Sequence, residues 1–131
     1  HQGLLNYFDG VENGFISAYR YHPNNDPAFE IVVEYFAAPA IDNKTVLLAD
    51  PMLASGQSLV AVLEAIKKHG TPKEIHIVVA IGSSEGIEFI KDKFPENTHL
   101  WIAAIDAELN NKGYIVPGLG DAGDLAFGGK L

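Results

Sequence analysis

"VLLADPMLASGQSLVAVLEAIKKHG", residues 46–70, decides the fold. It opens as an apolar run of strand length and closes as an amphipathic helix. Leu59, Val62, Leu63 and Ile66 share one helical face, Lys67, Lys68 and His69 fill the last turn, and Gly70 stops it. Between strand and helix lies a junction with little side-chain bulk. Pro51 lacks a ladder N–H, so the strand is expected to end at Asp50-Pro51 and the helix to begin near Ser58.

The pattern continues outward. "EIHIVVAIGS" (74–83) reads as the next strand. "SEGIEFIKDKF" (84–94) reads as a helix capped by Ser83 or Ser84 and ended by Pro95, and "THLWIAAID" (98–106) as a further strand with Trp101 in the core. Strands alternating with helices predict an α/β fold with a parallel, doubly wound sheet, whose ligands sit beyond the carboxyl ends of the strands. Asp50, Ser83 and Asp106 fall there.

Upstream, Leu4, Leu5, Phe8 and Val11 give "GLLNYFDGV" (3–11) a helical spacing, and "FISAYR" (15–20) reads as a strand. "YHPNNDPA" (21–28) is a loop by its prolines and asparagines. "FEIVVEYFAAP" (29–39) has the composition of a β-arm, with Tyr35 and Phe36 packing on the core or on a second subunit. Downstream, "NNKGYIVPGLGDAGDLAFGGK" (110–130) holds six glycines and one proline and reads as a shaped loop or small lid. The expected organisation is one domain: helix, strand and loop over 1–28, β-arm over 29–39, α/β core over 40–106 and a C-terminal hood over 107–131.

With 131 residues and a net charge of −8, the chain is long enough for one core and repels a nucleic-acid backbone. No apolar run spans a bilayer, so no membrane is expected. Cysteine is absent, which excludes disulfides and thiolate metal sites and fits a reducing cytoplasm. His22, His69, His76 and His99 lack the spacing of a metal site.

The junction after Asp50 carries the chemistry. Ala54, Ser55 and Gly56 leave backbone amides accessible, Gly56 permits a positive φ, and the helix start adds a partial positive charge. Together with the Ser55 and Ser58 hydroxyls these groups suit a cradle for a phosphate ester, and the same residues read equally well as an N-cap at Ser58, a turn at Gly56 and a solvated strand end at Asp50. No Walker loop is present, and no G-x-G-x-x-G follows an expected strand, so a dinucleotide fingerprint is absent.

"LLADPMLASGQS" (47–58) resembles the diphosphate-sugar loop of uracil phosphoribosyltransferases, and "GYIVPGLGDAGD" (113–124) resembles their uracil-binding segment, with "YR" at Tyr19 and Arg20 in the same order. The resemblance implies a type I phosphoribosyltransferase fold and the reaction of uracil with 5-phosphoribosyl diphosphate to UMP and diphosphate in pyrimidine salvage. Mg²⁺ would be held through the diphosphate rather than by the protein. Arg20, Asp50, Pro51, Met52, Leu53, Ala54, Ser55, Gly56, Gln57, Ser58 and Asp121 are implied to bind phosphoribosyl diphosphate. Ile115, Gly120, Asp121 and Ala122 are implied to line the uracil site, and Asp50, Asp121 and Arg20 to act in catalysis.

Ser55, Gln57 and Leu125 stand where the family commonly has Thr, Gly and a basic residue. A family Arg-Ala-Gly-Leu loop and the region before it would precede His1, so the resemblance implies a C-terminal portion, incomplete at the N-terminus. A homodimer or higher oligomer through the β-arm is the expected assembly. Two alternatives share these loops: a non-catalytic nucleotide-binding regulator on the same fold, and a phosphoribosyltransferase for another base.

Overall fold

Apolar spacing switches from every second residue to every third or fourth near residue 57, and the backbone follows it. The computed structural model describes residues 1–21 and 30–129, with the Arg20 side chain also outside the description. In chain order it runs α1 (Gln2–Tyr7), β1 (Phe15–Tyr21), β2 (Glu30–Ala37), β3 (Thr45–Leu53), α2 (Gln57–His69) and β4 (Glu74–Ser83). It continues through α3 (Ser84–Ile90), β5 (Thr98–Asp106), β6 (Glu108–Leu109) and β7 (Ile115–Val116) to α4 (Ala122–Phe127).

Three strands, β3, β4 and β5, form a parallel sheet in that spatial order. The ladder pairs Asp50 with Val79 and Met52 with Ile81, so β3 passes through Pro51 and ends at Leu53 rather than at Asp50-Pro51. It continues because β3 is an edge strand of this sheet, where proline's missing N–H costs no ladder bond. Leu59, Val62, Leu63 and Ile66 of α2 are all buried, as their spacing requires. They meet Ile75, Ile77 and Val79 of β4, with Ile41, Leu53 and Ile90 completing the cluster. Each such side chain contributes on the order of 1.5–3 kcal/mol relative to exposure.

The alternate residues Ala80, Trp101 and Ala103 stay exposed, so within the described residues one sheet face carries the helical layer where a doubly wound sheet carries two. This corrects the placement of Trp101, which is 58% exposed. It lies on the edge strand β5 and points to the open face, where its indole N–H donates to His76 Nδ1 at 3.0 Å.

β1 and β2 pair antiparallel, with a bulge between Ser17 and Ala18. Phe36 of this arm packs against the core, while Tyr35 faces outward beside Phe15. The loop expected over 21–28 lies outside the described residues from residue 22 onward, as does Phe29. Two helices are shorter than their sequence patterns. α1 stops at Tyr7, and Phe8 and Val11 are left exposed. α3 stops at Ile90 rather than near Pro95, because Lys93 N donates to Ile90 O and the Lys93 ammonium takes up the Phe89 carbonyl. No described helix is long and apolar enough to cross a membrane.

Candidate active site

The end of β3 supplies the first wall. Asp50 is half-buried, and its Oδ1 accepts from Met52 N at 2.9 Å. Burial raises its pKa above the ordinary value, and the Met52 N–H works in the opposite direction with smaller effect. A carboxylate so placed is short of water and presents acceptors to hydroxyl donors.

The chain then turns through Ala54, Ser55 and Gly56 into α2. Gly56 is the N-cap, with φ 78° in the left-handed region, and no side chain caps the helix. The helix start expected near Ser58 shifts to Gln57 for this reason. Its first N–H groups are therefore available to an anion, and the helix dipole favours one there.

What holds this loop is the start of α3. Ser83 is fully buried at the tip of β4, donates its hydroxyl to Ala54 O at 2.7 Å and accepts from Gly86 N at 2.8 Å. One side chain thus caps α3 and ties the junction after β3 to it. Gly86 fits only because it has no Cβ: one built there would stand 1.9 Å from Ala54 O. Ser83→Ala removes both bonds and leaves a buried carbonyl and N–H unpaired, so it is expected to destabilise the fold by about 1–3 kcal/mol. Equilibrium urea unfolding measures this; a midpoint equal to that of the unsubstituted protein would refute the tether.

The second wall comes from the C-terminal segment. Asp106, at the end of β5, accepts from Gly118 N at 2.9 Å and anchors the segment to the sheet. Ile115 is buried at 2% exposure in the short β6–β7 hairpin. Asp121 caps α4 by accepting from Asp124 N at 3.0 Å. Where the sequence suggests only a shaped loop or small lid, the segment contains this hairpin and a six-residue helix.

Between the walls lies a cleft of about 720 Å³, within the range of small-molecule sites. Asp50, Pro51, Met52, Leu53, Ala54, Ser55, Gly56 and Ser58 line it from one side, and Asp121 and Ala122 from the other. The two motifs, far apart in sequence, share one cavity. Gln57, Ile115 and Gly120 do not line it: Gln57 is exposed at the first turn of α2, and Ile115 is buried in β7. Arg20 belongs to β1, but its side chain lies outside the described residues. Sequence reasoning missed Ile16 and Ala18 of β1 and Lys112 of the β6–β7 turn, while Tyr19, Gly113 and Tyr114 fell within the quoted motifs without individual roles. Lys112 carried a usable signal, as the one cation between Lys93 and Lys130.

Among the described residues no group of three or more His, Asp or Glu side chains is arranged to hold a metal. Two carboxylates, Asp50 and Asp121, line the cleft.

The family pattern of uracil phosphoribosyltransferase matches residues 1–129. The uracil phosphoribosyltransferase of Porphyromonas gingivalis is 49% identical over 131 residues, which are 100% of this chain and 60% of that protein. The one from Pyrococcus furiosus is 50% identical over 128 residues, 97% of this chain and 53% of that protein. A solved protein from Aquifex aeolicus superposes with a TM-score of 0.78 at 36% identity, covering 90% of this chain and 54% of its own. The chain thus spans between 53% and 60% of the length of these two curated relatives. With the arm, the parallel sheet and its helices in a type I phosphoribosyltransferase arrangement, the chain belongs to the uracil phosphoribosyltransferase family.

Proposed function

We propose that this chain forms the phosphoribosyl- and uracil-binding part of an enzyme that converts uracil and 5-phosphoribosyl diphosphate to UMP and diphosphate. The carrying observation is the shared cleft, in which the uncapped start of α2 faces Asp121 and Ala122. Backbone N–H groups at the start of α2, with the Ser55 and Ser58 hydroxyls, suit the 5′-phosphate. Asp50 suits the ribose hydroxyls, which donate hydrogen bonds. In the transfer, the bond from ribose C1 to the diphosphate oxygen breaks and a bond from C1 to a ring nitrogen of uracil forms, that nitrogen losing its proton. Positive charge builds on the ribose, and fixing both partners out of water lowers the barrier.

Uracil is neutral and flat, so backbone donors and acceptors of the C-terminal segment match it without adding charge. Cytosine carries a donor where uracil carries an acceptor and leaves groups unpaired. Mg²⁺ takes few protein ligands when phosphates supply the rest, and the two carboxylates that line the cleft suit that habit. Asp50 and Asp121 are the residues that would hold it, and its chemistry there is neutralisation of the diphosphate.

The test is uracil-dependent release of diphosphate by a polypeptide carrying this chain within the full family length. UMP formation with uracil, and at least about a hundredfold less product with cytosine or hypoxanthine, is the expected outcome. Tight UMP binding without turnover would instead mark a nucleotide-binding regulator, and preference for another base would reassign the substrate.

A further inference from the structure

A chain of net charge −8 that holds a polyanion needs positive charge at the site itself. Among the described residues lining the cleft, Lys112 is the one cation. It sits in the turn between β6 and β7, and that turn is pinned by a single residue. The Asn110 side-chain oxygen accepts from Lys112 N at 2.9 Å and from Tyr114 N at 3.0 Å. Gly113 N donates to Asn110 O at 2.8 Å, and Asn110 N donates to Tyr114 O at 2.9 Å. An asparagine that closes a turn on itself in this way holds the backbone of the residues it spans. Lys112 is therefore delivered to the cleft on a fixed turn. Its ammonium enters no ion pair among the described residues.

Among the described side chains, the two charged ends of phosphoribosyl diphosphate are unequally served. The 5′-phosphate has the start of α2 and two hydroxyls. The diphosphate carries more charge, which one Mg²⁺ would neutralise only in part. Resting on the function proposed above, we infer that Lys112 is a binding residue for the diphosphate group. Its ammonium adds to the neutralisation of the diphosphate and holds the leaving group as the bond to C1 breaks.

Lys112→Gln tests this, with Lys112→Arg as the conservative variant. Calorimetry in magnesium-containing buffer compares inorganic diphosphate, which has no 5′-phosphate, with UMP, which has no diphosphate. The full family-length polypeptide is used throughout. Lys112→Gln is expected to weaken diphosphate binding by roughly fivefold to tenfold, leave UMP binding within about twofold, and flatten the salt dependence of diphosphate affinity. Lys112→Arg should restore both affinity and salt dependence. Equal weakening of UMP and diphosphate, or unchanged diphosphate affinity in Lys112→Gln beside intact binding by the unsubstituted protein, overturns the inference alone. Binding of neither ligand by the unsubstituted protein overturns the function proposed for the cleft, and the inference with it.

Discussion

Gly86→Ala is expected to damage the fold and the site together, although it adds a single methyl. In an exposed helix, replacing Gly by Ala stabilises by about 1 kcal/mol through lost backbone freedom in the unfolded chain. At Gly86 the added Cβ meets Ala54 O at 1.9 Å and Ala54 C at 3.0 Å. Both are backbone atoms, so no rotamer change relieves the contact. Either α3 withdraws from the sheet or the loop at 54–56 shifts by about an ångström or more. Withdrawal also breaks the bond from Gly86 N to the buried Ser83 hydroxyl.

Overpacking of this kind costs about 1–3 kcal/mol and occasionally more, and a displacement of about 1 Å in a substrate cradle can cost about a hundredfold in rate. The expected result is a lower urea midpoint together with a roughly hundredfold fall in kcat/KM for phosphoribosyl diphosphate in the reaction proposed for the full family-length polypeptide. Gly3→Ala is the control, since Gly3 sits in α1 with nothing within 4 Å of its built Cβ. It should unfold no earlier than the unsubstituted protein. An unchanged midpoint and KM in Gly86→Ala would show that the junction is not clamped by α3.

The contrast between these two glycines shows what the chain spells out and what it does not. β3, α2, β4 and β5 were legible because each buries one repeating face, and burial of a face is written in the spacing of apolar residues. Both halves of the cleft were legible as motifs, since Gly56 and the stretch around Asp121 combine small residues with oxygen-bearing side chains. The clamp was not. Local sequence offers Ser83 and Ser84 as caps for α3, and Ser83 is the one used. That its hydroxyl also donates to a carbonyl 29 residues away depends on how β3 and β4 pair, which no local pattern records.

Trp101 failed for a related reason. Its strand has the composition of a central one, yet its exposure depends on which strand lies at the edge and on what covers the second face. β6, β7 and α4 failed for brevity: two residues or six cannot display a period. The Asp at 121 three residues before Asp124 was nonetheless a local capping signal, and it is used as one.

Asp50→Asn is expected to stabilise the fold while removing most of the turnover proposed for the full family-length polypeptide. Burial raises the Asp50 pKa above its ordinary value of 3.8, so the folded state disfavours the charged form relative to the unfolded chain. The sign follows from that direction. Below the ordinary value both states are protonated and the carboxyl imposes no penalty. As pH rises from there through the raised folded value, the unfolded chain ionises first and gains, so stability contributed by the neutral carboxyl is lost. Above the folded value the full penalty is present.

Asparagine is neutral throughout and keeps the side-chain oxygen that accepts from Met52 N. The two proteins should therefore unfold alike at acid pH below the ordinary value, and the Asp50→Asn variant should unfold at higher urea once pH exceeds the raised one. Activity should move the other way. An amide presents one acceptor oxygen where the carboxylate presents two, and it carries no charge to face the positive ribose of the transition state. A fall of about two orders of magnitude in kcat/KM is expected. Urea midpoints across the acid range and kinetics at neutral pH read the two effects separately. Equal stability of both proteins at every pH would remove the strain assigned to Asp50. Undiminished turnover would remove its part in the reaction, whatever the stability curves show. A carboxylate kept at a cost to folding, in the wall of a cleft that opens onto the start of α2, is the trade expected of a group retained for chemistry rather than for packing.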